Sequence, residues 1–166
     1  MSKTKEKILA NARALFNERG LAGTSQRAIA DHMGISPGNL TYHYKKRSQI
    51  IEALYFELVE NIDIAIAEVS NAGPVQTSSK GEQLLRGLYH LTKVIMQNFY
   101  EYRFLMLDFI QLMRENERIK QHYTQLQRQR EAQFSQFLQL LIDEKLMRAE
   151  EIPNEYSNYL KRQTII

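Results

Sequence analysis

Apolar side chains recur at three- and four-residue steps along most of the chain, and strand-like alternation appears nowhere at useful length. From Thr4 to Arg19, the residues Ile8, Leu9, Ala12, Leu15 and Phe16 form one helical stripe, and Gly20 supplies its stop. Thr24 or Ser25 can cap a second, short helix that runs to about Met33, where Gly34 breaks it. Ser36-Pro37 reads as an N-cap followed by proline at the first helical position, where the missing N–H costs nothing. Ile35 and Leu40 occupy the two staple positions around that cap, so a third short helix runs from Ser36 to about His43. A long helix from Ser48 to about Ala72 follows, patterned by Ile50, Ile51, Leu54, Tyr55, Leu58, Val59, Ile62, Ala65, Ile66 and Val69. Gly73-Pro74 and Thr77-Ser78-Ser79 mark residues 71–81 as a loop. Further helices fit Glu82 to Tyr100 and Glu117 to Leu146, separated by the Phe-, Leu- and Met-rich stretch Tyr102 to Glu115. The expected fold class is all-α.

Residues 26–45 meet the physical demands of a helix-turn-helix. Ala30 is small where two helices must cross, and Gly34, four positions later, tolerates the positive φ of a tight turn. Ile29, Met33, Ile35 and Leu40 supply the shared apolar core. The second helix then projects Pro37, Gly38, Asn39, Thr41 and Tyr42 outward, short and small at its front, as entry into a major groove about 12 Å wide requires.

Charge changes the picture. Residues 1–50 hold nine Lys/Arg against three acids, net +6, whereas the remaining 116 residues hold 13 bases against 16 acids, net −3. A basic front module on an acidic body points to a polyanion met by the front end alone. Composition removes other classes. With no Cys, a disulfide scaffold, a thiolate zinc site and a cysteine nucleophile are all excluded. His32, His43, His90 and His122 are scattered, with no H-E-x-x-H and no nucleophile elbow, so no catalytic site, metal or cofactor is expected. No apolar run approaches the roughly 18 residues of a membrane span, and the three lysines within Met1–Leu9 precede no apolar signal core. The expectation is a soluble cytoplasmic protein that is not an enzyme.

Residues 4–51 resemble the N-terminal domain of the TetR family of bacterial transcriptional regulators. The matching positions are Ile8, Ala12, Leu15, Phe16 and Gly20, then Thr24, Ile29, Ala30 and the run Gly34-Ile35-Ser36-Pro37-Gly38-Asn39-Leu40. Tyr42-His43-Tyr44, the basic Arg47 and Ile50-Ile51 complete the pattern. Three positions depart from it: Thr41 where the family usually has an aromatic, Tyr44 for Phe, and Arg47 for Lys. The resemblance implies roles. Arg27 would reach a base edge or phosphate, and Pro37, Gly38, Asn39 and Thr41 would face base edges, with Asn39 the best hydrogen-bonding reader. Tyr42 and His43 would hold phosphates, Lys46 and Arg47 would clamp the backbone, and Ser25 and Gln26 would add phosphate contacts at a helix N-terminus. Ser36 joins this set as the cap of the reading helix, while Tyr44 is read as core and Lys45 as solvated.

The resemblance also divides the chain into a DNA-binding domain, 1–47, and a helical ligand-sensing and dimerising domain, 48–166. It implies a repressor that binds a palindromic double-stranded operator as a homodimer and answers to a small apolar or amphipathic effector, with no membrane partner. The effector candidates are Tyr89, His90, Phe99, Arg103, Phe104, Phe109 and Met113, from a dense set of large side chains whose commoner use is core. Family members usually end in two helices that form a four-helix bundle with a partner, whereas Ile152 to Ile166 is weakly patterned; the expected second domain is therefore short at its C-terminus. The rival reading is a helical adaptor whose helix-turn-helix is only structural.

Overall fold

The computed structural model describes residues 3–71 and 79–158. Among the described residues there are eight helices and no strand: α1 (Lys3–Arg19), α2 (Gln26–His32), α3 (Pro37–His43), α4 (Arg47–Asn71), α5 (Lys80–Glu101), α6 (Arg103–Leu107), α7 (Phe109–Glu115) and α8 (Glu117–Asp143). A last helical turn covers 155–158. Most of the expected loop at 71–81, and the end of the weakly patterned segment from 159 onward, lie outside the described residues. No helix among those described is long and apolar enough to cross a membrane.

Local chemistry explains the boundaries. Gly20 (φ +70°) closes α1 by donating to the Phe16 carbonyl at 2.9 Å. Ser25, not Thr24, caps α2, its hydroxyl accepting from the Ala28 amide. Thr24 is buried, and its hydroxyl donates back to the Gly20 carbonyl at 3.0 Å. At the end of α2, Gly34 (φ +64°) donates to Asp31 O and Ile35 donates to Ala30 O, the paired closure of a Schellman motif. This motif is the turn of the helix-turn-helix. The same closure ends α8 three residues before the expected Leu146: Lys145 (φ +57°) donates to Ile142 O and Leu146 to Leu141 O. The stretch 102–115 is two short helices, because the backbone breaks at Tyr102 and again at Asp108.

One apolar core runs from the first helices into the body. It joins Ile8, Leu15 and Phe16 of α1, Ile29 and Leu40 of α2 and α3, Ile50 and Leu54 of α4, and Phe104, Leu112 and Ile119 beyond them. Leu40 is the sole buried residue of α3. Helix α4 carries α8 along it: Glu52 accepts from Asn116 Nδ2 (3.0 Å) and Arg118 (3.1 Å), Tyr55 OH meets His122 Nδ1 at 3.0 Å, and Asp63 pairs with Arg130. Burial pushes the Tyr55 hydroxyl up to about 12, so it stays protonated there. Helix α5 lies against α4 through Asn61–Asn98 (3.2 Å) and Gly87, where an added Cβ would come within 2.9 Å of Val69. Yet α5 has no buried residue, and Leu85, Tyr89, Met96, Phe99 and Tyr100 stand outward along it.

Where α1, α4 and the α5–α6 break meet, Arg13 pairs with Glu101 (3.4 Å) and lies over the Tyr102 ring (4.7 Å). Glu57 of α4 reaches this seam with Oε2 buried and lacking a hydrogen-bond partner. Burial raises its carboxyl above the usual 4.5, although Arg13 and the Tyr102 hydroxyl pull the other way and Glu60 and Glu101 push further up.

Two expectations follow from this packing. At Gly34 an added Cβ meets nothing within 4 Å, so Gly34→Ala carries only the backbone penalty of its left-handed conformation and should cost about 1–2 kcal/mol in urea unfolding. Because the folded state holds the Glu57 proton more tightly than the unfolded chain does, this group's contribution to stability falls as pH rises from 4.5 through the raised folded value. Glu57→Gln should therefore match or trail the parent in acid and gain on it toward neutral pH, as read from unfolding midpoints across that range.

Candidate nucleic-acid interface

Helix α3 is held by one apolar residue and offers the rest outward. Ser36 accepts from the Asn39 amide at 3.2 Å and Pro37 follows it, which starts the helix; Leu40 anchors it beneath. Ser36, Pro37, Gly38, Asn39, Thr41 and Tyr42 are all exposed. The Asn39 side-chain amide makes no hydrogen bond among the described residues, so both its donor and its acceptor face solvent. Thr41 donates to the Pro37 carbonyl at 2.8 Å, which satisfies its hydroxyl and leaves its methyl for contact. Tyr42 is 84% exposed, with the half-buried His43 edge-on at 5.2 Å.

The flanking cations divide into two kinds. Arg27 projects into solvent with only a loose i,i+4 approach to Asp31 at 3.9 Å. Lys45 and Lys46 are exposed and have no ion pair among the described residues. Arg47 is turned inward: its guanidinium donates to the carbonyls of Leu21 (2.7 Å) and Thr24 (2.9 Å), tying the start of α4 to the α1–α2 turn. Gln26 is also engaged within the head, since its Nε2 donates to the Tyr44 carbonyl and ties the start of α2 to the end of α3. Ser25 spends its hydroxyl on the α2 cap. Tyr44 is buried as expected of a core position, and burial raises its hydroxyl pKa.

The seven effector candidates do not converge. Tyr89 (73% exposed) and His90 stand on the outer side of α5, and Phe99 is also exposed. Arg103 caps its own neighbourhood, donating to Tyr100 O at 3.1 Å and lying over the Tyr100 ring. Phe104 belongs to the core, stacked on Phe16 with centroids 5.1 Å apart, because the break at Tyr102 turns α6 onto α1. Phe109 and Met113 do share a surface. They line an open groove of about 560 Å³ between α7 and α8, with Arg114, Lys120 and Tyr123 at its sides, and Phe109 packs edge-on against Tyr123 at 4.8 Å. Phe109 and Ile110 also border a second groove of about 800 Å³ across α6 and α7.

Asn17 and Asp108 escaped sequence reasoning although they bind the head to the body. Asn17 donates to Glu101 O (2.6 Å) and accepts from Phe104 N (3.2 Å); Asp108 accepts from Leu21 N at 3.1 Å. Their signals were present: Asn17 stands four residues after Arg13 beside the buried stripe, and Asp108 is the one acid in the run Phe104 to Met113.

Against this geometry, residues 8–54 match the family model described as "Bacterial regulatory proteins, tetR family", and residues 74–165 match "TetR: Bacterial transcriptional repressor", over half of the chain. The chain belongs to the TetR family. Among curated relatives, it is 32% identical over 88 residues to the "Probable HTH-type transcriptional regulator YttP" of Bacillus subtilis, covering 53% of this chain and 42% of that one. It is 34% identical over 56 residues to the "HTH-type transcriptional repressor KstR2" of Mycolicibacterium smegmatis, covering 34% of this chain and 27% of that one. The matches thus span less than half the length of these relatives. A crystal structure of a TetR-family transcriptional regulator from Marinobacter aquaeolei superposes with TM-score 0.77 at 26% identity, covering 90% of this chain and 69% of that one.

For this TetR-family head, the inward Arg47 carries a stability expectation. Arg47→Ala removes two charge-assisted bonds to main-chain carbonyls and should lower unfolding stability by about 1–3 kcal/mol. Urea denaturation of the full chain measures it.

Proposed function

We propose that this chain is a DNA-binding transcriptional regulator of the repressor type, docking two copies of α3 on a palindromic operator as a homodimer. The observation that carries the reading is the state of α3: one buried leucine, five exposed positions, an uncommitted Asn39 amide, and a net charge of +6 over residues 1–50. An uncommitted amide pair matches the N6/N7 edge of adenine, and exposed cations beside it supply the sequence-independent pull of the phosphates. The relatives named as regulators and a repressor support the same reading.

In this reading residues 1–47 read DNA in the cytoplasm and residues 48–166 provide dimerisation and effector sensing. Palindromic half-sites call for reading heads about 34–36 Å apart, which one 19.5 kDa chain with a single α3 cannot supply. The outward apolar positions of α5, and Phe134 and Leu140 of α8, leave surface for a second subunit. A small apolar or amphipathic effector would use the grooves around Phe109 and Met113 in place of the seven-residue pocket expected from sequence. It would act only through different affinities for the DNA-competent and released states.

Selection of bound sequences from random duplex DNA tests the proposal and should return a palindrome. On that site Asn39→Ala should cost about 1–3 kcal/mol and relax discrimination at one position per half-site. Lys46→Ala should weaken binding to all duplexes alike and reduce the salt slope by about one unit. Recovery of no enriched sequence, with no salt-dependent retention on bulk DNA, would leave a helical adaptor.

A further inference from the structure

We propose that Asn17 and Asp108 are positioning residues that fix the orientation of the reading head on the body, and with it the half-site spacing the dimer accepts. The inference rests on the regulator reading above and adds to it the element that sets head geometry.

The head is joined to the body in two places. One is covalent: α4 starts beside α3 and continues for 25 residues into the body. Helix α4 also packs against α1 in the shared core, and a second attachment narrows the angle between head and body further. The second attachment is the contact of α1 with α6. Its apolar part, Phe16 on Phe104, is strong but nondirectional, and stacked rings slide at little cost. The Arg13–Glu101 pair beside it is partly solvated, with the Glu101 side chain 58% exposed, and is weak for that reason.

The directional bonds are those of Asn17 and Asp108. Asn17 spans the α5–α6 break with both ends of its amide, donating to the last residue of α5 and accepting from the second residue of α6. Asp108 is the break between α6 and α7, and it accepts from the Leu21 amide just beyond α1. Each end of the five-residue α6 is therefore latched near the C-terminal end of α1, one end through main-chain atoms of α5 and α6 and the other through the Leu21 amide of the turn that follows α1. Helix α1 is 17 residues, about 25 Å, so a tilt of about 5° at the latch displaces its far end by about 2 Å. One added base pair shifts a half-site by about 3.4 Å and rotates it by about 34°. A tilt this small covers part of that shift and little of that rotation, so tolerance of a changed spacer requires the latch to be lost rather than merely strained.

The test uses the full-length chain and the palindrome recovered by selection, with that palindrome lengthened or shortened by one base pair and with a single half-site duplex. The parent should lose about tenfold in affinity on either altered spacer, whereas Asn17→Ala and Asp108→Ala should lose less than about threefold. All should bind the half-site within about twofold of the parent, which shows that the head itself is folded. Asp108→Asn, which keeps an acceptor for the Leu21 amide, should restore the parent's spacing penalty. Unchanged spacing penalties in both alanine variants would overturn the proposal while leaving the regulator reading intact, and so would equal losses on half-site and palindrome. A selection that returns no symmetric site would overturn both.

Discussion

The stacking of Phe16 on Phe104 packs α6 of the body against α1 of the head within one shared hydrophobic core. A head of three short helices buries too little apolar surface to stand firmly alone, since small units bury a smaller fraction of their surface. By turning α6 onto α1, the break at Tyr102 lets Phe104 and Leu105 complete the head from outside it, and the body gains a floor from the same contact. Because that floor stabilises the head, α3 can leave Pro37, Gly38, Asn39, Thr41 and Tyr42 in solvent. The exposure of α3 is thus supported from the far side of α1.

Electrostatics and capping work in the same direction. Side chains that could have reached outward from the head, Arg47, Gln26 and Ser25, are committed to main-chain atoms, which fixes the three helices relative to one another. Those left uncommitted, Asn39, Lys46 and the Tyr42 ring, lie along α3 and the start of α4. A site of this kind combines rigid support with unspent hydrogen-bonding groups, the arrangement that preorganised recognition requires.

Much of the fold was legible in the sequence because its signals are local. Gly20, Gly34 and Ser36-Pro37 each fix a turn or a cap through their own backbone chemistry, and the stripe on α1 and α4 repeats at the helical period. The tie from Asp108 to the head was not legible, because its partner is a main-chain amide, that of Leu21, 87 residues away. The same holds for the inward course of Arg47, whose partners lie 23 and 26 residues away and are main-chain carbonyls that no side-chain pattern reveals. The scatter of the seven effector candidates has a different origin. A cluster of aromatic residues in sequence says nothing of which helical face each occupies, and α5 turns Tyr89 and Phe99 outward while α6 turns Phe104 into the core. Of the seven candidates, Phe109 and Met113 on α7, across from Tyr123 of α8, share a groove.

The central claim is that the exposed side of α3, supported through α1 and α6, is where this chain meets DNA. Amide hydrogen exchange of the full chain, with and without the duplex it selects, addresses that claim most directly. Exchange should slow over residues 25–47, with a smaller slowing where α1 meets α6 near Asn17 and Phe104. Slowing confined to α5 and α8, with α3 unchanged, would contradict it.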